Sequence, residues 1–191
     1  MFWRRRLPHW APEDSPVFVT WRLAGTLPRG QPELLVRGPL DGKTFVLQDR
    51  ELDHMASGPR WLREPPIAAI FRDALLYGEN VRRYDLLAWV VMPNHVHLVL
   101  QSKARLPDVV RWLKTATAVR ANRTLGRNGE PFWQREYFDR WIRSEEELLK
   151  TISYVENNPV TAGLAASPEE WPWSSPAEDT GGETAGATVP A

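Results

Sequence analysis

The sequence predicts an α+β fold in which a central antiparallel sheet packs against helices. Segments rich in β-branched and aromatic residues, typical of strands, alternate with segments whose apolar residues recur at helical spacing. Two apolar runs are joined by only two residues, Pro93 and Asn94, which indicates an antiparallel hairpin. The chain of 191 residues contains no cysteine, which excludes disulfides and thiolate metal sites, and its length favours one domain with extensions.

The first half of the chain contains one clear strand and one clear helix. The strand is predicted at residues 17–23, which are β-branched and aromatic. Residues 24–43 are rich in proline and glycine and are predicted to be a loop, and residues 43–48 fit either a short strand or the start of a helix. Helical spacing returns at residues 67–77, and we expect this helix to stop at Gly78, because glycine commonly ends helices.

The hairpin is the strongest strand signal, with mainly apolar strands at residues 86–92 and 95–101. An amphipathic helix is predicted next, at residues 106–123. Because strands and helices alternate around an antiparallel hairpin, we expect a ferredoxin-like two-layer sandwich with the helices on one face of the sheet.

The last predicted helix covers residues 144–158. Ser144, with Glu147 three residues later, forms a capping box at its start, and Pro159 is expected to end it. The composition after residue 175 cannot form a core, because it is mostly proline, glycine, alanine, threonine and acidic residues. The predicted organisation is an N-terminal extension at 1–16, one domain at 17–175 and a disordered acidic tail at 176–191.

His95 and His97, two of only four histidines, are two residues apart in a predicted strand. Side chains alternate along a strand, so both imidazoles share one face, with their Cα atoms about 6.6 Å apart. Neutral ring nitrogens at this spacing can bind one divalent cation at about 2.1 Å and leave positions open for a phosphate oxygen and water. We interpret the pair as a metal site; a purely structural pair is the alternative, and the pattern alone identifies neither the metal nor the reaction.

A tyrosine lies off the apolar stripe of the last predicted helix. The stripe contains Leu148, Ile152 and Val155, whereas Tyr154 lies outside it, one turn from Lys150 on one side and from Asn158 on the other. A tyrosine with a pKa near 10 needs a cation nearby to act as a nucleophile. The helix therefore offers a candidate nucleophile and a candidate oxygen ligand; a boundary tyrosine at the surface is the alternative.

The formal net charge is zero, but the charges are unevenly distributed. Residues 111–143 contain eight Lys or Arg against three Asp or Glu, whereas residues 144–191 contain one against nine. Aromatic and basic residues interleave at 132–140, which favours base stacking and phosphate contact or a packed loop, and Tyr137 in this stretch ranks below Tyr154 as a nucleophile. The alternative is a solvated helix face; the candidate DNA-binding residues are Lys114, Arg120, Arg123, Arg135, Arg140 and Arg143.

Several motifs in order resemble one family. His95-Val96-His97 resembles the His-hydrophobic-His motif of HUH endonucleases. The wider set is similar to the IS200-like single-tyrosine transposases, and within them to the REP-associated tyrosine transposases. This resemblance runs from about residue 17 to residue 175, and its motifs are residues 89–97, 132–135, Tyr154, 158–160 and 170–175.

The resemblance implies a ferredoxin-like catalytic domain that binds Mg²⁺ or Mn²⁺. It implies that His95 and His97 are metal ligands, that Asn158 is the third ligand, and that Tyr154 is the nucleophile; relatives often have Gln at the position of Asn158. It also implies that the tyrosine attacks single-stranded DNA at palindromic hairpins, giving a 5′-phosphotyrosine intermediate and a free 3′-OH for strand transfer. The expected partner is hairpin DNA, and members of the family are monomers or homodimers.

Two other functions remain open at the level of the sequence. One is a non-catalytic, domesticated nucleic-acid-binding protein of the same fold, and the other is a metal hydrolase in which water replaces Tyr154 as nucleophile. Apolar runs are shorter than the roughly 18 residues of a membrane span, and the first residues lack the apolar stretch of a signal peptide. We therefore expect a cytoplasmic protein without a membrane partner.

Overall fold

The computed structural model describes residues 15–26 and 58–175. Predictions for the rest of the chain, among them the strand or helix at 43–48 and the tail at 176–191, lie outside the described residues. The described elements follow the order β1-α1-β2-β3-α2-β4-α3. Their bounds are β1 Pro16–Arg22, α1 Pro65–Asn80, β2 Tyr84–Val91, β3 His95–Ser102, α2 Leu106–Thr124, β4 Phe138–Trp141 and α3 Glu145–Thr161, with short 3-10 turns at Trp61–Arg63 and Pro168–Glu170.

The four strands form one sheet in the order β2-β3-β1-β4, and each pair of neighbours is antiparallel. The first six elements in this order give the ferredoxin-like βαββαβ arrangement. The predicted α+β class, the central antiparallel sheet and the hairpin are therefore confirmed. β4 has no counterpart in the prediction, because its four residues include Asp139 and Arg140 and lack an apolar run.

Apolar residues cover both faces of the sheet. On the first face, Val19 and Leu98 pack with residues of α1 and α2 in one cluster. On the second face, Phe18 and Val90 pack with Val155 of α3 in another. The expectation that the helices lie on one face is therefore wrong for α3. The reason is that β2 is apolar at consecutive positions, so it presents apolar side chains to both faces.

Gly78 does not end α1, which continues to Asn80. A Cβ atom at this position would lie 2.7 Å from Cζ of Tyr84 and 2.9 Å from Cζ3 of Trp112. The glycine therefore serves the close packing of α1 against its neighbours rather than a helix stop. Tyr84 is fully buried there and donates a hydrogen bond to the Leu75 carbonyl at 2.6 Å, and its burial raises the pKa of its phenol.

Pro159 does not end α3 either, since the helix continues to Thr161. A proline so near the end removes only one backbone donor, and the Ala162 N–H still donates to the Asn158 carbonyl at 2.9 Å. The predicted start is confirmed, because the Ser144 side chain accepts a hydrogen bond from the Glu147 N–H.

The outer edge of β2 is covered by residues 173–175. The Val91 N–H donates to the Trp173 carbonyl at 2.7 Å, and the Ser175 N–H donates to the Trp89 carbonyl at 2.8 Å. These bonds satisfy backbone groups that an edge strand would otherwise leave open. Among the described residues, no helix combines the length and the apolar character needed to cross a membrane.

Candidate active site

His95 and His97 converge on the second face of the sheet. Their Nε2 atoms lie 2.8 Å apart, and both side chains are fully buried. Strand β3 brings them together because Val96 and Leu98 anchor its opposite face in the first apolar cluster. Nδ1 of His95 lies 2.6 Å from Oδ1 of Asn94. Oδ1 can only accept, so this contact is a hydrogen bond when Nδ1 of His95 carries the proton, and the neutral ring then has a lone pair on Nε2.

The two histidine nitrogens fit adjacent ligand positions around one cation. Two ligands about 2.1 Å from an octahedral ion lie roughly 3 Å apart, close to the observed separation of 2.8 Å between the Nε2 atoms. The Asn94 contact to His95 is the kind of outer hydrogen bond that orients a metal-binding imidazole. Within residues 15–26 and 58–175, no group of three or more His, Cys, Asp or Glu side chains is arranged to hold a metal ion. A further protein ligand from these residues would therefore be a different kind of oxygen donor.

Asn158 offers such an oxygen. It is 4% exposed, and its Oδ1 has no hydrogen-bond partner among the described residues. It lies one turn after Tyr154 on α3, and therefore on the same side of that helix. A buried amide oxygen without a hydrogen-bond partner lowers the stability of a protein, unless a bound ligand interacts with that oxygen. Asn158 thus has the kind of oxygen that a third ligand, in addition to the two histidines, would need.

Tyr154 packs against His97. Its ring centroid lies 5.9 Å from that of His97 and 6.3 Å from that of Phe18, and the side chain is half-buried. The sequence placed it off the apolar stripe, yet its ring contacts the second apolar cluster. Lys150 does not supply the expected cation: its Nζ lies 2.5 Å from a carboxylate oxygen of Glu146, and this hydrogen bond holds the pKa of the Glu146 carboxyl below its usual range.

Tyr137, the competing tyrosine, lies on the other side of the sheet. It is 7% exposed and belongs to the first apolar cluster, which the sheet separates from the histidines. The Nζ atom of Lys114 lies 5.8 Å from the centroid of its ring. Its location therefore favours a structural role and leaves Tyr154 as the tyrosine beside the histidines.

The six candidate DNA-binding residues do not form one surface. Lys114 donates hydrogen bonds to the carbonyls of Arg135 and Glu136 and holds that loop to α2. Arg140 lies on the histidine face by register with Phe18, and its guanidinium binds Glu147. The candidates whose side chains are exposed are Arg120 and Arg123 on α2, Arg135 before β4, and Arg143 after β4.

Two polar residues that the sequence analysis missed lie beside the histidines. In the register of β1 and β3, Thr20 pairs with His97 and Arg22 pairs with His95. Both are buried, at 6% and 3% exposed. The available signal was two polar residues, two positions apart, in an otherwise apolar strand, since that spacing puts both on one face.

Comparison with known proteins agrees with this arrangement. A family model described as IS200-like transposase matches residues 66–158, a segment that contains both histidines, Tyr154 and Asn158. Over these residues the chain is similar to the IS200-like transposases. The resemblance stated from the motifs is thus confirmed, and the family is one of DNA-processing enzymes.

Proteins similar to this chain have related descriptions. A Haemophilus influenzae protein named as a REP-associated tyrosine transposase is 26% identical over 152 residues, which are 73% of this chain and 80% of the relative. The REP-associated tyrosine transposase of Escherichia coli is 24% identical over 106 residues, which are 55% of this chain and 62% of the relative. A solved structure of a REP-associated tyrosine transposase bound to a REP hairpin superposes with a TM-score of 0.59 at 17% identity, covering 98% of this chain and all of that one. This last likeness shows the shared fold.

Proposed function

We propose that this protein is a metal-dependent endonuclease and strand transferase for single-stranded DNA, with Tyr154 as its nucleophile. The observation that carries the proposal is the convergence of the His95 and His97 Nε2 atoms, 2.8 Å apart, with the Tyr154 ring 5.9 Å from His97. A nucleophile beside a pair of ligand nitrogens is the arrangement that metal-assisted phosphoryl transfer requires. The similarity of residues 66–158 to the IS200-like transposases supports the same reaction.

In the proposed reaction the Tyr154 phenol oxygen attacks a phosphodiester phosphorus. A bond forms between that oxygen and phosphorus, and the bond from phosphorus to the 3′-oxygen of the preceding nucleotide breaks. The phenol proton is lost, the departing 3′-oxygen takes up a proton, and the 5′-phosphate remains covalently attached to Tyr154. Attack by a 3′-OH on this link reverses these changes and joins strands.

His95, His97 and Asn158 are the residues that would hold Mg²⁺ or Mn²⁺. The cation would polarise the scissile phosphate when it is bound. The residues themselves suit this role: Oδ1 of Asn94 favours the His95 tautomer with the proton on Nδ1 and a lone pair on Nε2, and the buried Oδ1 of Asn158 has no hydrogen-bond partner among the described residues. Both histidines are fully buried, so a DNA phosphate reaches them only after the side chains that cover them move aside.

The proposed substrate is a single-stranded hairpin of the REP type. The support is that two relatives are named REP-associated and that a protein of the same fold is described as bound to a REP hairpin. The proposed contacts to the DNA backbone are the exposed candidates Arg120, Arg123, Arg135 and Arg143, because exposed basic side chains can reach phosphate groups.

A covalent trapping experiment tests the proposal. Protein is incubated with Mn²⁺ and end-labelled single-stranded hairpins, and the products are separated on a denaturing gel. We expect a labelled protein–DNA band for the wild type and no such band for Tyr154→Phe, which should still bind the hairpin because only the phenol oxygen is removed. Tyr137→Phe is the matched control and should form the band.

The results also separate the alternatives. Hairpin binding without a covalent band or cleavage in the wild type would contradict the proposal and support a non-catalytic DNA-binding protein. Cleavage that persists in Tyr154→Phe would instead identify water as the nucleophile.

A further inference from the structure

Strand β1 places two polar side chains on the catalytic face. Phe18 stacks on the His97 ring with centroids 5.5 Å apart, so it lies on the same face as the histidines. Side chains alternate along a strand, and Thr20 and Arg22 therefore follow Phe18 on that face. Each is paired directly with a histidine, Thr20 with His97 and Arg22 with His95, and such partners have Cα atoms about 4.5–5.5 Å apart.

The Thr20 hydroxyl is a buried donor on this face. The residue is 6% exposed, and its Oγ1 has no hydrogen-bond partner among the described residues. A buried hydroxyl in this state is destabilising, and valine of the same shape would avoid the penalty. Its presence next to His97 therefore points to an acceptor that belongs to a bound molecule.

Arg22 adds a positive charge, which suits an anionic ligand. It is 3% exposed, and arginine remains protonated in proteins. Its planar guanidinium has five N–H donors, enough to hold a protein acceptor and a phosphate oxygen at the same time. A permanent cation beside the histidine pair favours an anion there.

We propose that Thr20 and Arg22 bind a non-bridging oxygen of the phosphodiester that Tyr154 attacks, an inference that rests on the proposed function. The ligand is the anionic phosphate group of a single DNA strand. The hydroxyl and the guanidinium approach it from β1, whereas Tyr154 approaches it from α3. Together they would hold the phosphorus in position for attack and offset the charge on its oxygens.

The salt dependence of DNA binding tests Arg22 without requiring cleavage. Binding of a labelled single-stranded hairpin is measured in EDTA at several salt concentrations, in the Tyr154→Phe background. Arg22→Gln should weaken binding about tenfold or more and reduce the slope of log affinity against log salt by about 0.7, the value for one phosphate contact on a single strand. Arg105→Gln is the matched control: this arginine is 82% exposed, beyond the end of β3 opposite to His95, and its loss should change neither quantity as much.

Thr20→Val provides an independent test that also detects a structural role. The hairpin affinity should fall about tenfold, while the Tm stays the same or rises because the unpartnered hydroxyl is gone. An unchanged affinity, or a loss of affinity together with a lower Tm, would overturn the assignment of Thr20. Equal salt slopes for Arg22→Gln and Arg105→Gln would overturn that of Arg22, and if Arg22→Gln does not fold, Thr20→Val decides. These measurements test DNA binding without metal, whereas the proposed function is tested by the covalent band. A negative result here would therefore overturn the roles of Thr20 and Arg22 and leave the proposed function standing.

Discussion

At the scale of single residues, the candidate site depends on polar groups whose hydrogen bonds are incomplete within the described fold. The clearest is Asn158, whose buried Oδ1 has no partner there, although its neighbour Asn157 is exposed and donates from Nδ2 to the Ser153 carbonyl. Adjacent residues of the same type therefore have different surroundings. This contrast supplies a matched pair of variants for the proposed metal site.

We expect Asn158→Ala to weaken Mn²⁺ binding at least about tenfold, because even the loss of an outer partner of a metal ligand weakens binding by about 10- to 100-fold. Asn157→Ala should bind Mn²⁺ as the wild type does. Isothermal titration calorimetry with Mn²⁺ measures both affinities. Equal affinities for the two variants would show that Asn158 is not a ligand.

Some residues of the candidate site could be predicted from the sequence and others could not. The spacing of His95 and His97 was enough to predict one shared face, because alternation along a strand is a local property. Thr20 and Arg22 were missed because their relation to the histidines depends on the register between β1 and β3, strands separated by more than 70 residues. Lys150 was expected beside Tyr154, but Glu146 one turn earlier binds it.

At the scale of elements, the helix ends show a conflict between local propensity and packing. Gly78 and Pro159 are typical terminators, and both helices nevertheless continue two residues beyond them. For Gly78 the cause is tertiary, because Tyr84 and Trp112 fill the space that a side chain would need. A single sequence without coordinates does not contain this information, whereas the capping box at Ser144 is local and was predicted.

Gly78→Ala tests this explanation, because packing and helix propensity predict opposite changes in the free energy of unfolding. Helix propensity alone would make the substitution stabilising by about 1 kcal/mol. Overpacking against Tyr84 should instead destabilise the protein by about 1–3 kcal/mol. The free energy of unfolding from urea titrations gives the sign. A more stable variant would mean that the glycine is not required for close packing.

At the scale of the whole molecule, the sheet separates two regions with different roles. α1 and α2 cover one face with an apolar cluster that includes Tyr137, and α3 carries Tyr154 and Asn158 to the other. The sequence predicted the α+β class and most elements because their patterns are local. The division of helices between faces was not predicted, since it depends on which apolar stripe meets which side of β2.

The segment after α3 contributes to this arrangement by closing the edge of β2. Trp171 Nε1 donates to the Val91 carbonyl at 3.1 Å, and residues 173–175 continue the pairing along the strand. A chain that ends at residue 170 should have a lower Tm and a greater tendency to associate, because β2 becomes an open edge. A chain that ends at Ser175 keeps these hydrogen bonds and is the control. Thermal unfolding and light scattering measure the two effects, and identical behaviour of both chains would exclude a role for the pairing.

The identity of the residue that becomes attached to DNA tests the central claim most directly. The covalent product formed with Mn²⁺ and a single-stranded hairpin is digested with nuclease and protease, and the modified peptide is sequenced by tandem mass spectrometry. The account predicts a nucleotide linked through its 5′-phosphate to Tyr154. A nucleotide on Tyr137, or on any residue other than Tyr154, would contradict it.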